Sequence, residues 1–108
     1  MNELADFAAR LVEEGADPVV VVSGELDAAS AERLRGVVTQ AIGRATGRVV
    51  VDLGAVEFID AAGVGALIAG QHEASRAGCR MVLRTPSPRV RRILELVELG
   101  QAFPEDVT

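Results

Sequence analysis

The chain has 108 residues, 49% of them hydrophobic and 25% charged, with a formal net charge of −5. That length predicts one domain over residues 1–108, burying roughly 65% of its unfolded surface, enough for a core without staples. The acidic balance and the absence of Trp and Tyr exclude a general nucleic-acid binder, which needs a basic surface and stacking rings.

At the N-terminus Leu4, Phe7, Ala8 and Leu11 fit a helix, while Phe7, Ala9 and Leu11 fit one face of a strand; a strand near residues 7–13 is the reading adopted. PVVVV at 18–22, bounded by Pro18 and by Ser23-Gly24, predicts a buried strand. Asp27 is suited to cap the helix that follows, whose apolar stripe is Ala31, Leu34, Val37, Val38, Ala41 and Ile42, with Gly43 or Gly47 as its end. RVVVDL at 48–53 predicts another buried strand, closed by a turn-like Gly54-Ala55, after which Phe58 and Ile59 lead to Asp60. A helix with Val64, Leu67, Ile68 and Gln71 on one face runs to about Ala77, where Gly78 stops it. CRMVLRT at 79–85 is the next strand. Ser87 as cap and Pro88 in the first helical position start a last helix with the stripe Val90, Ile93, Leu94 and Val97, closed by Gly100. No repeat, low-complexity stretch or linker interrupts the order. The result is an α/β domain: a mixed β-sheet of about four to five strands, packed by three or more helices.

Enzyme chemistry finds no complete constellation. Gly63-Val64-Gly65 sits between strand and helix, but Ile68 stands where a dinucleotide fingerprint needs its third glycine, and a chain without Lys has no phosphate loop. A nucleophile elbow requires a serine where the chain has Ala61 and Ala62. With His72 and Cys79 as the single residues of their types, there is no triad, disulfide framework or zinc-ligand spacing. His72 reads as a surface or packing residue, and Cys79 as a small buried hydrophobe. Glu25 with Asp27, and Asp60, would form paired carboxylates if their strand ends are neighbours, although both aspartates also read as helix caps. Arg84, Arg89, Arg91 and Arg92 read as a solvated face. No catalytic activity, metal or other cofactor is expected. No apolar run approaches the ~20 residues that cross a bilayer, and MNELADFAAR lacks the features of a signal peptide. A cytoplasmic location without direct membrane insertion is therefore expected.

What remains is a surface. Small side chains at Ala61, Ala62, Gly63 and Gly65 leave the first turn of a helix bare, with its N–H groups and positive dipole end open to a partner.

Three stretches in order carry a family resemblance. SGELDAASAERLR resembles the G-E-L-D turn and first helix of STAS domains, and within them of the bacterial anti-sigma factor antagonists. VVVDLGAVEFIDAAGVGAL resembles their D-L-x-x-V-x-F-[IM]-D-S-[ST]-G core, and RVRRILELVELGQAFP their last helix and aromatic tail. The resemblance implies a regulatory module that binds a serine kinase of the histidine-kinase-like ATPase fold, itself the anti-sigma factor, in a partner switch governed by phosphorylation. It places the partner surface at Asp27, Asp60, Ala61, Ala62, Gly63, Val64 and Gly65, and the phosphorylation-equivalent position at Ala62. Neither Ala62 nor Ala61 has a hydroxyl, so nothing there accepts a phosphate; Ala62 is a natural departure or a substitution. The alternative role implied by the resemblance is an accessory subunit of a lipid-transport ATP-binding-cassette system, or a scaffold part of a stress-sensing assembly. A monomer or weak homodimer is expected.

Overall fold

The computed structural model describes residues 7–96 and 105–106. In chain order these form β1 (Phe7–Glu14), β2 (Asp17–Leu26), α1 (Ala28–Arg44), β3 (Arg48–Ile59), α2 (Ala61–Arg76), β4 (Arg80–Arg84), α3 (Pro88–Leu96) and the two-residue β5 (Glu105–Asp106). The strands lie in the sheet order β1-β2-β3-β4-β5. β1 and β2 form an antiparallel hairpin, turned at Gly15 with φ +62, a backbone angle that glycine adopts without strain. Every later pairing is parallel, so each is bridged by a helical crossover.

The period-two pattern of the strands sorts their side chains onto two faces. Val20, Val22, Val49, Val51, Leu53, Met81 and Leu83 join the main core, where the helices contribute Leu34, Val38, Ala41, Val64, Leu67, Ala74, Val90 and Leu94. α1 packs on β1 and β2, α2 on β3 and β4, and α3 against β3. The alternate residues Val19, Val50 and Val82 form a smaller cluster on the opposite face. There Arg84 makes paired bonds to Glu14 at 2.9 and 3.2 Å and reaches Asp52 at 3.2 and 3.3 Å. Arg84 is level with Asp52, whereas Glu14 is level with Asp17, two residues before Val19, so the bridge spans the valine row. The hydrogen bonds it donates to Glu14 foremost, and to Asp52, hold the pKa of the Arg84 guanidinium above its ordinary value against the opposing effect of burial.

Several boundaries differ from the sequence expectation. β2 continues through Ser23-Gly24 to Leu26, and β3 through Gly54-Ala55 to Ile59, because each gives the other backbone partners: Glu25 pairs with Phe58 and Leu26 with Ile59. The expected turn at Gly54-Ala55 is instead absorbed as a register shift opposite Val21 and Ser23, with a second shift between Gly24 and Glu25. Such irregularities bend a strand without ending it. Neither Gly43 nor Gly47 ends α1. Gly43 lies within its last turn, and the chain leaves through Ala45 in an extended conformation. Gly78, at φ +82, does follow α2 as expected. β4 is shorter than read from the sequence, since Cys79 precedes it and Thr85 turns out of it at φ 49, its hydroxyl donating to Asp52 at 3.2 Å. Val97, Gly100 and the aromatic tail lie outside the described residues.

Arg84→Ala removes both the paired bonds and the cover over the valine cluster, and is expected to cost about 1–3 kcal/mol at neutral pH in urea unfolding. Arg84→Met keeps an apolar stem of similar length and should recover part of that loss; equal losses in the two variants would mean that the stem covers nothing.

Candidate functional site

The site is built by the outer ends of β2 and β3. The Leu26–Ile59 pairing and a bond from the Asp60 N–H to the Leu26 carbonyl at 3.2 Å set the two strand ends side by side, and each strand then turns into a helix. The aspartate after each strand is that helix's cap. Asp27 Oδ1 accepts from the N–H groups of Ala29 at 3.0 Å and Ser30 at 3.2 Å. Asp60 Oδ1 accepts from those of Ala62 at 2.9 Å and Gly63 at 3.1 Å. Both aspartates sit in extended backbone geometry, as cap residues do. The carboxylates are thus engaged as caps, each on its own helix.

These caps correct the expectation of open N–H groups at the start of α2. Ala62 and Gly63 donate to the Asp60 side chain, and Val64 donates to the Asp60 carbonyl at 2.9 Å. What the turn presents is mainly shape, since the cap takes up two of its N–H groups. Of the seven residues expected at the surface, Ala61 and Gly65 are exposed, and Asp27, Asp60 and Ala62 half-buried, whereas Gly63 and Val64 are buried. A methyl group at Gly63 would collide with the Leu26 carbonyl oxygen, and would stand 2.8 Å from Leu26 Cγ and 2.9 Å from Ile59 Cγ1. Gly63 is therefore small so that α2 can press on the ends of β2 and β3, while Gly65 is small with nothing within 4 Å of the place where a side chain would begin. One glycine belongs to the core and the other to the surface.

Two residues of this region were not singled out from the sequence. Ser30, 3% exposed, accepts from the Asp27 N–H at 2.9 Å and donates to the Glu25 carbonyl at 2.8 Å, closing a reciprocal cap. The Asp-x-x-Ser spacing was its signal. Phe58 is 43% exposed, because it precedes the core residue Ile59 and so points to the sheet face away from the main core. Away from the site, His72 is exposed and Cys79 half-buried against the main core. Arg84 is part of the sheet network, while Arg89 and Arg92 are exposed on α3. Among the described residues, no group of three or more His, Cys, Asp or Glu side chains is placed to hold a metal ion, and no helix is long and apolar enough to cross a membrane.

The two glycines should respond oppositely to the same change. Gly63→Ala is expected to destabilise the fold by about 3 kcal/mol through the backbone collision. Gly65→Ala should stabilise it by about 0.5–1 kcal/mol, as alanine does at an open helical position. Paired chemical unfolding curves measure both, and a harmless Gly63→Ala would refute the close approach.

This arrangement has counterparts. The family profile described as "Mlab, STAS domain" matches residues 9–105. An anti-sigma F factor antagonist of Lysinibacillus sphaericus is 30% identical over 83 residues, covering 76% of this chain and 71% of the relative. Among solved structures, an anti-sigma factor antagonist from Mycobacterium paratuberculosis is 28% identical and superposes with a TM-score of 0.80 over 100% of this chain and 92% of its own. The anti-sigma factor antagonist SpoIIAA in its unphosphorylated form is 26% identical, with a TM-score of 0.75 over 93% of this chain and 89% of its own. With the profile running from β1 to β5 and the same fold in these relatives, the chain belongs to the STAS domain family.

Proposed function

We propose that this protein is an anti-sigma factor antagonist without catalytic activity, acting in the cytoplasm by capturing a serine kinase that is also the anti-sigma factor. The observation that carries the reading is the exposed face of Ala61 and Gly65, with half-buried Ala62 between them and the capped carboxylates beside it. The likeness to proteins described as anti-sigma factor antagonists supports the same reading. The partner surface consists of Asp27, Asp60, Ala61, Ala62 and Gly65, backed by Gly63 and Val64, which hold the helix against the sheet without touching the partner. No phosphate acceptor stands at position 62, so the chain remains in its capturing form.

A second reading draws on the same two alanines. A STAS subunit that is never modified suits an accessory role in a lipid-transport assembly or a scaffold, where attachment is permanent. In either role the α2 start is the contact.

Two sets of variants test the proposal. Gly65→Arg and Ala61→Trp place bulk on the open face; each should abolish capture of the cognate kinase in calorimetry while leaving the thermal midpoint within a few degrees. Undiminished binding by both would move the contact elsewhere.

Ala62→Ser should become a phosphate acceptor for that kinase, and Ala62→Asp should bind it more weakly than the alanine form. Phosphate at this position adds about −1.5 to −2 charges beside Asp60, and a differential cost of ~1.4 kcal/mol already shifts affinity tenfold. If a kinase that binds Ala62→Ser leaves it unmodified, and Ala62→Asp binds as tightly as alanine, the permanent-subunit reading replaces the switch.

A further inference from the structure

Two surfaces of this chain complement each other in charge and shape. Residues 23–30 and 54–65, which meet at the outer ends of β2 and β3, carry the carboxylates Glu25, Asp27, Glu57 and Asp60 and no Arg or Lys. At this acidic end Phe58 is 43% exposed, paired in strand register with the exposed Glu25 and adjacent in sequence to the exposed Glu57. The second surface is a groove of about 670 Å³ at the junction of β4 with α3, lined by Pro86, Pro88, Arg89, Arg91, Arg92 and Glu95.

The groove has a local electrostatic misfit. Arg89 lies in the first turn of α3, which has no acidic residue there, so a cation stands at the positive end of the helix dipole, where anions are favoured. Carboxylates brought from outside relieve that misfit. Proline rings and guanidinium planes also offer a phenyl ring both apolar and cation–π contact, and the volume of the groove exceeds that of the ring several times over.

We propose that Phe58 of one copy enters the α3 groove of a second copy, with Glu25 and Glu57 set against Arg89 and Arg92. The contact joins two different patches, so it propagates into short chains or closes into a ring. Being small and charged, it is weak and sensitive to salt. Phe58 lies two residues from Asp60, so an associated copy covers the end of β3 beside the α2 start and holds it away from other partners. The inference rests on the two surfaces and not on the identity of any kinase.

Sedimentation velocity of the full chain at about 0.05 M and about 0.5 M salt tests it, the two conditions differing severalfold in screening length. The expected result is an average mass that rises with protein concentration at low salt and falls to that of the monomer at high salt. Phe58→Ala, and separately Arg89→Glu with Arg92→Glu, should each be monomeric. An equimolar mixture of the two variants should form a one-to-one dimer and nothing larger, since it contains one intact ring donor and one intact groove. All three positions are exposed, and unchanged circular dichroism and thermal midpoints verify that the variants fold. The proposal is overturned by a wild type that stays monomeric at low salt, whether or not its groove takes up pyrophosphate instead. Variants that associate like the wild type, or a mixture that stays monomeric, overturn it equally. Self-association without kinase capture would leave this inference standing and remove the proposed function; capture by a strictly monomeric chain would do the reverse.

Discussion

Contact between the first turn of α2 and the Leu26 carbonyl is the constraint around which this end of the molecule is arranged. Only a residue without a side chain fits at that approach, and Gly63 supplies it. The contact fixes the height of α2 above the sheet, which sets Ala61, Ala62 and Gly65 on its outer side and turns Val64 and Leu67 into the core. It also depends on how far β2 and β3 extend together. Had β3 stopped at the Gly54-Ala55 pair, Ile59 would have no partner in Leu26, and nothing would align the two helix starts. The irregular stretch of parallel pairing and the glycine are thus two parts of one device.

Electrostatics at the same end is built from local bonds. The carboxylates of Asp27 and Asp60 each accept two backbone donors through one oxygen, which satisfies groups that a helix start otherwise leaves to water. The opposite sheet face handles charge differently. There the Arg84 guanidinium draws Glu14 and Asp52 across the small valine cluster, so that charged groups act as its cover. Acid is concentrated where the strands end, and base on α3.

The elements were legible in the sequence because their periods are clean. The three-and-four spacing of Leu34, Val38, Ala41 and Ile42 marked α1, whereas the N-terminal residues fitted a helix and a strand alike and only the pairing with β2 decides for the strand. Turns were less legible, because Gly54 and Gly43 look like terminators wherever they occur. Whether a glycine ends an element depends on the pairing around it, and that pairing is nonlocal: β2 carries β3 past Gly54, and the helix simply includes Gly43. At the site, the cap roles of Asp27 and Asp60 followed from their positions before apolar stripes. The difference between Gly63 and Gly65 did not, since nothing in the order Gly-Val-Gly says which glycine meets a carbonyl. Val56 was hidden for a related reason, because the irregular pairing turns it into the core beside Leu53 and Ile59 against the simple alternation.

The order of the strands in the sheet is the order of the strands in the chain. Each strand after the first therefore pairs beside its immediate predecessor, and no later segment has to be inserted between two that already exist. For a chain made from its N-terminus at about 5–20 residues per second, this permits vectorial assembly: the β1–β2 hairpin offers an edge while α1 is still being synthesised, β3 joins that edge, and its own free edge then receives β4. The capped start of α2 comes into being as soon as β3 has been laid down, before α3 exists. Synthesis thus finishes the α2 start ahead of the basic groove.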